Sequence, residues 1–94
     1  MEAPPSPEAI AHHLLVALRA ASERAERTNL DELSRELGIR KAEARAVLSE
    51  LDRRGLVDVL RMHLTLVGFG VAEALKNKPA PALRQTKVRV LRAA

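Results

Sequence analysis

Cysteine, tryptophan and tyrosine are absent from this chain, and one phenylalanine, Phe69, is its whole aromatic content. Without cysteine there is no disulfide, thiolate metal site or thiol nucleophile, and the chain suits a reducing compartment. A single phenyl ring offers no platform for stacking unpaired bases, which argues against a reader of single-stranded RNA. Long apolar runs are missing as well: none approaches the roughly 20 residues needed to span a bilayer. The opening MEAPPSPEAI is acidic and proline-containing, where a secretory leader is basic and then apolar. The expectation is a soluble cytoplasmic protein with no membrane partner. No glycine-rich phosphate loop, paired-acid site or nucleophile-and-base set emerges either, so the chain is not expected to be an enzyme or to need a cofactor. His12, His13 and His63 do not read as a metal site, because adjacent side chains on a helix diverge by about 100° and no acidic cluster completes a shell.

What remains is aliphatic and charged. The 94 residues are 47% hydrophobic and 30% charged, enough for one compact domain and no second core. A core of Leu, Val, Ile and Ala favours helices over stacked sheets. The reading is a mainly α domain over residues 7–76, with an unstructured stretch before it (1–6) and a proline-containing linker and basic tail after it (77–94). The formal charge of +4 is unevenly spread: residues 1–39 hold four Arg or Lys against seven Asp or Glu, whereas residues 40–94 hold twelve against five. A polyanion is repelled by the first part and drawn to the second, and nucleic acid is the commonest such partner. A solvated, arginine-rich surface is the plain alternative.

Local signals divide the domain. Ser6, Pro7 and Glu8 combine a capping hydroxyl, a proline at the first helical position and an acid at the positive end of the dipole, which starts a helix expected over 7–27. Its apolar stripe is Ile10, Leu14, Ala17, Leu18 and Ala21. Leu15 and Val16 lie outside that stripe, where they either widen the buried arc or face a second subunit. Asn29 followed by Glu32 resembles a capping box for a second helix with Leu30, Leu33 and Leu37 inward, ended by Gly38. A third helix, 41–54, buries Ala44, Val47, Leu48 and Leu51 and ends at Gly55. Residues 56–60 and 63–66 are rich in Val and Leu and are separated only by Arg61 and Met62, which predicts a tight antiparallel hairpin. Helical spacing returns over 67–76 through Val71, Ala72 and Leu75. The last segment, LRQTKVRVLRAA, holds no acid; alternation of Thr86, Val88 and Val90 with Lys87 and Arg89 fits a strand, and a helix stays open.

The order of two helices, a hairpin and a further helix over 30–70, with the stretches LSRELGI, LSELDRRGLV and HLTLVGFGVAEAL, resembles the winged helix-turn-helix regulators of bacteria and archaea. It resembles especially the multiple-antibiotic-resistance and arsenical-resistance repressor types. Their recurrent LTxxGxxxAxxL is met by Leu64, Thr65, Gly68, Ala72 and Leu75. The resemblance covers residues 8–76. It implies a mainly α fold with a small β-hairpin wing, the third helix entering the major groove of duplex DNA and the wing reaching backbone or minor groove. The matching positions are 40–53 and 59–63. Two departures stand out. Arg40, Lys41, Ala42 and Glu43 open the third helix where such regulators commonly carry Ser or Thr, and the short wing keeps only Arg61 and His63 as basic residues.

A helical wheel of the third helix turns Ala42, Ala46, Ser49 and Arg53 outward, with Lys41 and Arg45 on one flank and Glu43 on the other. Two alanines permit close approach to a groove but carry no code beyond contact with a thymine methyl. Base reading then falls to Arg45, Ser49 and Lys41, supported by phosphate contacts. The candidate DNA-binding set is Arg40, Lys41, Arg45, Ser49, Arg53, Arg61 and His63, with Lys87 and Arg89 of the tail. Asn29 and the first amides of the second helix are a further candidate phosphate contact. The expected function is a DNA-binding transcription regulator or chromatin-associated protein of the nucleoid. It would act as a homodimer on half-sites about 34 Å apart. A winged-helix protein-interaction module of transcription or chromosome machinery is the other reading, favoured by the two alanines and the short hairpin. Whether the tail is a phosphate-binding arm or a dimer element built on Leu83, Val88, Val90 and Leu91 is left open.

Overall fold

The computed structural model describes residues 6–79, 81 and 83. These form four helices and one two-stranded antiparallel hairpin, in the order α1 (Pro7–Glu23), α2 (Leu30–Leu37), α3 (Lys41–Arg53), β1 (Val57–Asp58), β2 (His63–Leu64) and α4 (Leu66–Lys76). The expectation of a mainly helical domain with a small hairpin is met at that level.

Helix α1 starts as its sequence indicates, with the Ser6 hydroxyl accepting the Ala9 N–H at 3.1 Å and Pro7 in the first turn. It stops at Glu23, short of the expected Arg27. Ala25 takes φ of 55°, and the N–H groups of Ala25 and Glu26 turn back to the carbonyls of Ser22 at 3.0 Å and Ala21 at 2.9 Å. The same pair of bonds closes α2, where Gly38 has φ of 71°, and α3, where Gly55 has φ of 79°. Two of the three stops use glycine, which enters this region freely; the third uses alanine, at a cost of about 1–2 kcal/mol. A stop signal based on glycine does not register the third.

The core is aliphatic. Leu14, Leu18, Leu33, Leu48 and Val57 are its largest fully enclosed side chains, and burying each stabilises the fold by about 1.5–3 kcal/mol. Ala44, Val47, Leu48 and Leu51 all point inward from α3. Leu15, one of the two candidates for a subunit contact, is only 3% exposed within the single chain; it widens the buried face of α1 and is not free for a partner.

Helices α1 and α4 pack antiparallel. Arg19 bridges them, holding Glu23 on its own helix at 2.8 Å and Glu73 on α4. Further along, the His13 Nε2–H donates to the Pro81 carbonyl at 2.7 Å, and Leu83 packs against the core, so the chain leaving α4 returns along α1.

The hairpin is smaller than expected. Val57 pairs with Leu64 and Asp58 with His63, leaving Val59, Leu60, Arg61 and Met62 in the turn. Met62 adopts φ of 54°, and the Asp58 carboxylate accepts the Arg61 N–H at 3.3 Å. Val59 and Leu60 are therefore turn residues, and Leu60 stands 97% exposed.

Thr65 joins the hairpin to α4. Its hydroxyl accepts the Gly68 N–H at 3.0 Å as a helix cap and donates to the Gly55 carbonyl at 2.6 Å, while its own N–H donates to the Leu56 carbonyl at 3.0 Å. Gly68 lies so close to this strand entry that a Cβ there would sit 1.9 Å from the Leu56 carbonyl oxygen. Ala72, one turn on, is 0% exposed. Thr65, Gly68 and Ala72 of the LTxxGxxxAxxL pattern thus dock α4 onto the rest of the domain.

Candidate nucleic-acid interface

The face of α3 away from the core carries Lys41, Ala42, Arg45, Ala46, Ser49 and Arg53, all exposed, with Arg40 preceding them. The helix is positioned from both ends. At its start the Arg40 N–H donates to the Glu43 carboxylate at 2.9 Å, and at its end Gly55 turns the chain into β1. Glu43 is thereby a capping group, and it does not stand as a free charge beside the outward face.

These cations are not equally available. Lys41 is held by Asp31 of α2 at 2.5 Å, and Arg53 lies 2.6 Å from Glu50, which also binds Arg54 at 2.9 Å. The side chains of Arg45 and Ser49 make no hydrogen bond or ion pair among the described residues, and the Arg40 guanidinium has none either. Of the expected base readers, Arg45 and Ser49 thus have side chains without a hydrogen bond or ion pair among the described residues, whereas Lys41 is engaged by Asp31.

Asp31 is not among the residues that the sequence marks for this site, yet its carboxylate sits against Lys41 at the start of α3. A hydrogen bond from the Lys41 ammonium, then its charge, with Arg35 and Arg45 further off, holds the Asp31 carboxyl below its usual range. The carboxylate is therefore ionised wherever DNA binding would be measured, and it offsets part of the local positive field. Sequence spacing does not reveal the pair, because ten residues and the turn between two helices separate Asp31 from Lys41.

On the hairpin Arg61 is exposed, with its guanidinium 3.8 Å from Asp58, a loose ion pair. His63 is exposed as well, its Nδ1–H donating to the Leu64 carbonyl at 3.0 Å. Asn29 is exposed and its Oδ1 accepts the Glu32 N–H at 2.8 Å, capping α2. Lys87 and Arg89 lie outside the described residues. Among the described residues no group of His, Asp and Glu is arranged to hold a metal ion, and no helix is long and apolar enough to cross a membrane.

A second feature lies to one side of α3. The end of α1, the loop that follows it and the hairpin turn enclose an open groove of about 1020 Å³, with Leu18, Leu64 and Phe69 among its apolar walls. Sequence periodicity gives no sign of it, because it forms between segments that are separately unremarkable.

No protein-family model, curated protein or solved structure matches the chain.

Proposed function

We propose that this protein is a DNA-binding winged helix-turn-helix protein that lays α3 in a major groove and sets Arg61 and His63 of the hairpin against flanking phosphates. The observation that carries this reading is the outward face of α3: two small alanines allow close approach, and the side chains of Arg40, Arg45 and Ser49 stand beside them with no hydrogen-bonded partner among the described residues. Arg45 and Ser49 are the base-reading candidates, and Arg40, Lys41 and Arg53 are the phosphate contacts, the last two once released from their carboxylates. The excess of basic over acidic residues beyond position 39 supports the same placement.

The reading extends to a transcription or chromatin role and to a two-fold dimer. With Leu15 taken up by the core, half-buried Val16 of α1 and the exposed Leu66 and Val67 of α4 are apolar surface open to pairing, as is Leu60 of the hairpin turn. Sedimentation at micromolar concentration tests that part by itself.

The experiment for the whole reading is retention of a random duplex library across a salt series, repeated with Lys41→Ala/Arg45→Ala. Retention should fall as salt rises, and the double variant should bind more weakly, with its salt slope reduced by about 0.9 for each phosphate it no longer neutralises. Unchanged binding by a folded double variant overturns the placement of α3.

A further inference from the structure

We infer that the groove between the end of α1 and the hairpin turn is a docking site for an acidic peptide segment of another protein, anchored by a large apolar side chain. The groove shares Arg61 and His63 with the proposed DNA contact, but no residue of α3 lines it, and Arg27, Leu60, Met62 and Phe69 belong to the groove alone.

The groove combines an apolar floor with a basic rim. Half-buried Val59, Met62 and Phe69 supply the floor, backed by Leu18 and Leu64 of the core, and it includes the only phenylalanine in the chain. Leu60, at 97% exposed the most open large apolar side chain of the described residues, stands at the edge. Single exposed leucines are ordinary on a protein surface, but one set beside an open apolar cleft extends it.

Charge decides the occupant. Arg27, Arg61 and His63 line the groove; Arg27 has no partner among the described residues, and Arg61 has only the loose ion pair with Asp58 at 3.8 Å. The one acid in the lining, Glu26, is already held by Arg24 at 2.9 Å. A nucleic-acid backbone would satisfy the rim and leave Leu60 and the floor wet, whereas an acidic segment with an apolar anchor satisfies both.

Backbone conformation singles out the same place. Ala25 and Met62 are the non-glycine residues with positive φ among those described, at 55° and 54°, and both line this groove. Strain of this kind persists where the surrounding structure holds it, and it concentrates at binding sites.

The test is selection of a displayed random-peptide library on the intact protein, followed by amide chemical-shift mapping with a synthetic copy of the enriched peptide. Enriched sequences should set Asp or Glu around Leu, Phe or Trp, and shifts should centre on Arg27, Leu60, Met62 and Phe69. Leu60→Ser and Arg27→Glu change exposed side chains, so melting should stay the same while affinity falls by about tenfold or more for each. No enrichment, a basic consensus, or binders indifferent to both substitutions overturns the inference. So does a concentration-dependent dimer that Leu60→Ser dissociates, because the occupant is then a second copy, and so does duplex DNA that shifts the same four amides.

Discussion

Replacing Gly68 by alanine should destabilise the domain, while the same replacement at Gly70, on the same helix, should stabilise it. A Cβ at Gly68 would sit 1.9 Å from the Leu56 carbonyl oxygen, where real contacts do not fall under 3.0 Å, so α4 or the entry to β1 must retreat by at least 1.1 Å. That carbonyl accepts the Thr65 N–H at 3.0 Å, and the retreat pulls at this bond and at the Thr65 link to Gly55. Overpacking costs about 1–3 kcal/mol and a weakened hydrogen bond about 1 kcal/mol. Alanine returns about 1 kcal/mol of helix propensity. The net loss at Gly68 is about 2 kcal/mol, or roughly 10 °C in Tm for a domain of this size. At Gly70 a Cβ meets nothing within 4 Å, so only the propensity gain of about 1 kcal/mol remains. Urea unfolding followed by circular dichroism gives both values. Equal shifts in the two variants, or a more stable Gly68→Ala, would refute the close approach of α4 to Leu56.

Ala25→Gly should raise stability by about 1 kcal/mol, because it relieves a left-handed alanine in a stop that α2 and α3 make with glycine; thermal melting checks this, and a loss of stability would contradict the strained stop. Asp31→Asn frees Lys41, so it should tighten duplex binding at low salt and steepen the salt dependence by about one further neutralised phosphate; weaker binding would place Asp31 away from the DNA. His12 is held below its ordinary value of 6.5 by burial, then by neighbouring His13 and Lys78. A histidine depressed in the folded state contributes stability above its unfolded value that is lost as pH falls through the lower, folded one, so melting should weaken on acidification below 6.5 and His12→Gln should flatten that trend.

Much of the frame is legible in the sequence because each local signal agrees with its neighbours. Asn29 and Gly38 bound α2, Gly55 closes α3, and the spacing of Ala44, Val47, Leu48 and Leu51 names the buried side of the helix without reference to anything else. The misses share a cause. Ala25 and Met62 adopt conformations normally marked by glycine or asparagine, so pattern alone sets the end of α1 and the span of the hairpin turn several residues away from where they fall. For Leu15 the sequence leaves two roles open, and the structure bears out the wider buried arc. For the candidate interface, residue types show which cations face outward, but not which are engaged: Lys41 with Asp31 and Arg53 with Glu50 are pairings of tertiary or rotameric origin. The groove beside the hairpin has no linear signature at all.

The antiparallel clasp of α1 with α4 also bears on how the chain is made. Leu14 and Leu18 are synthesised early, yet the helix that covers them begins only at Leu66. Until α4 has left the ribosome tunnel, α1 has an uncovered apolar side and Arg19 lacks Glu73. Cooperative closure therefore waits for nearly the whole domain, and a chain arrested at the hairpin presents the ribosome and its chaperones with an open core. The same clasp brings the start of α1 beside the segment leaving α4, as the His13 hydrogen bond to Pro81 records. A circular permutant joined across that side and opened between Leu60 and Arg61 would keep the core intact while letting α4 emerge before α2 and α3.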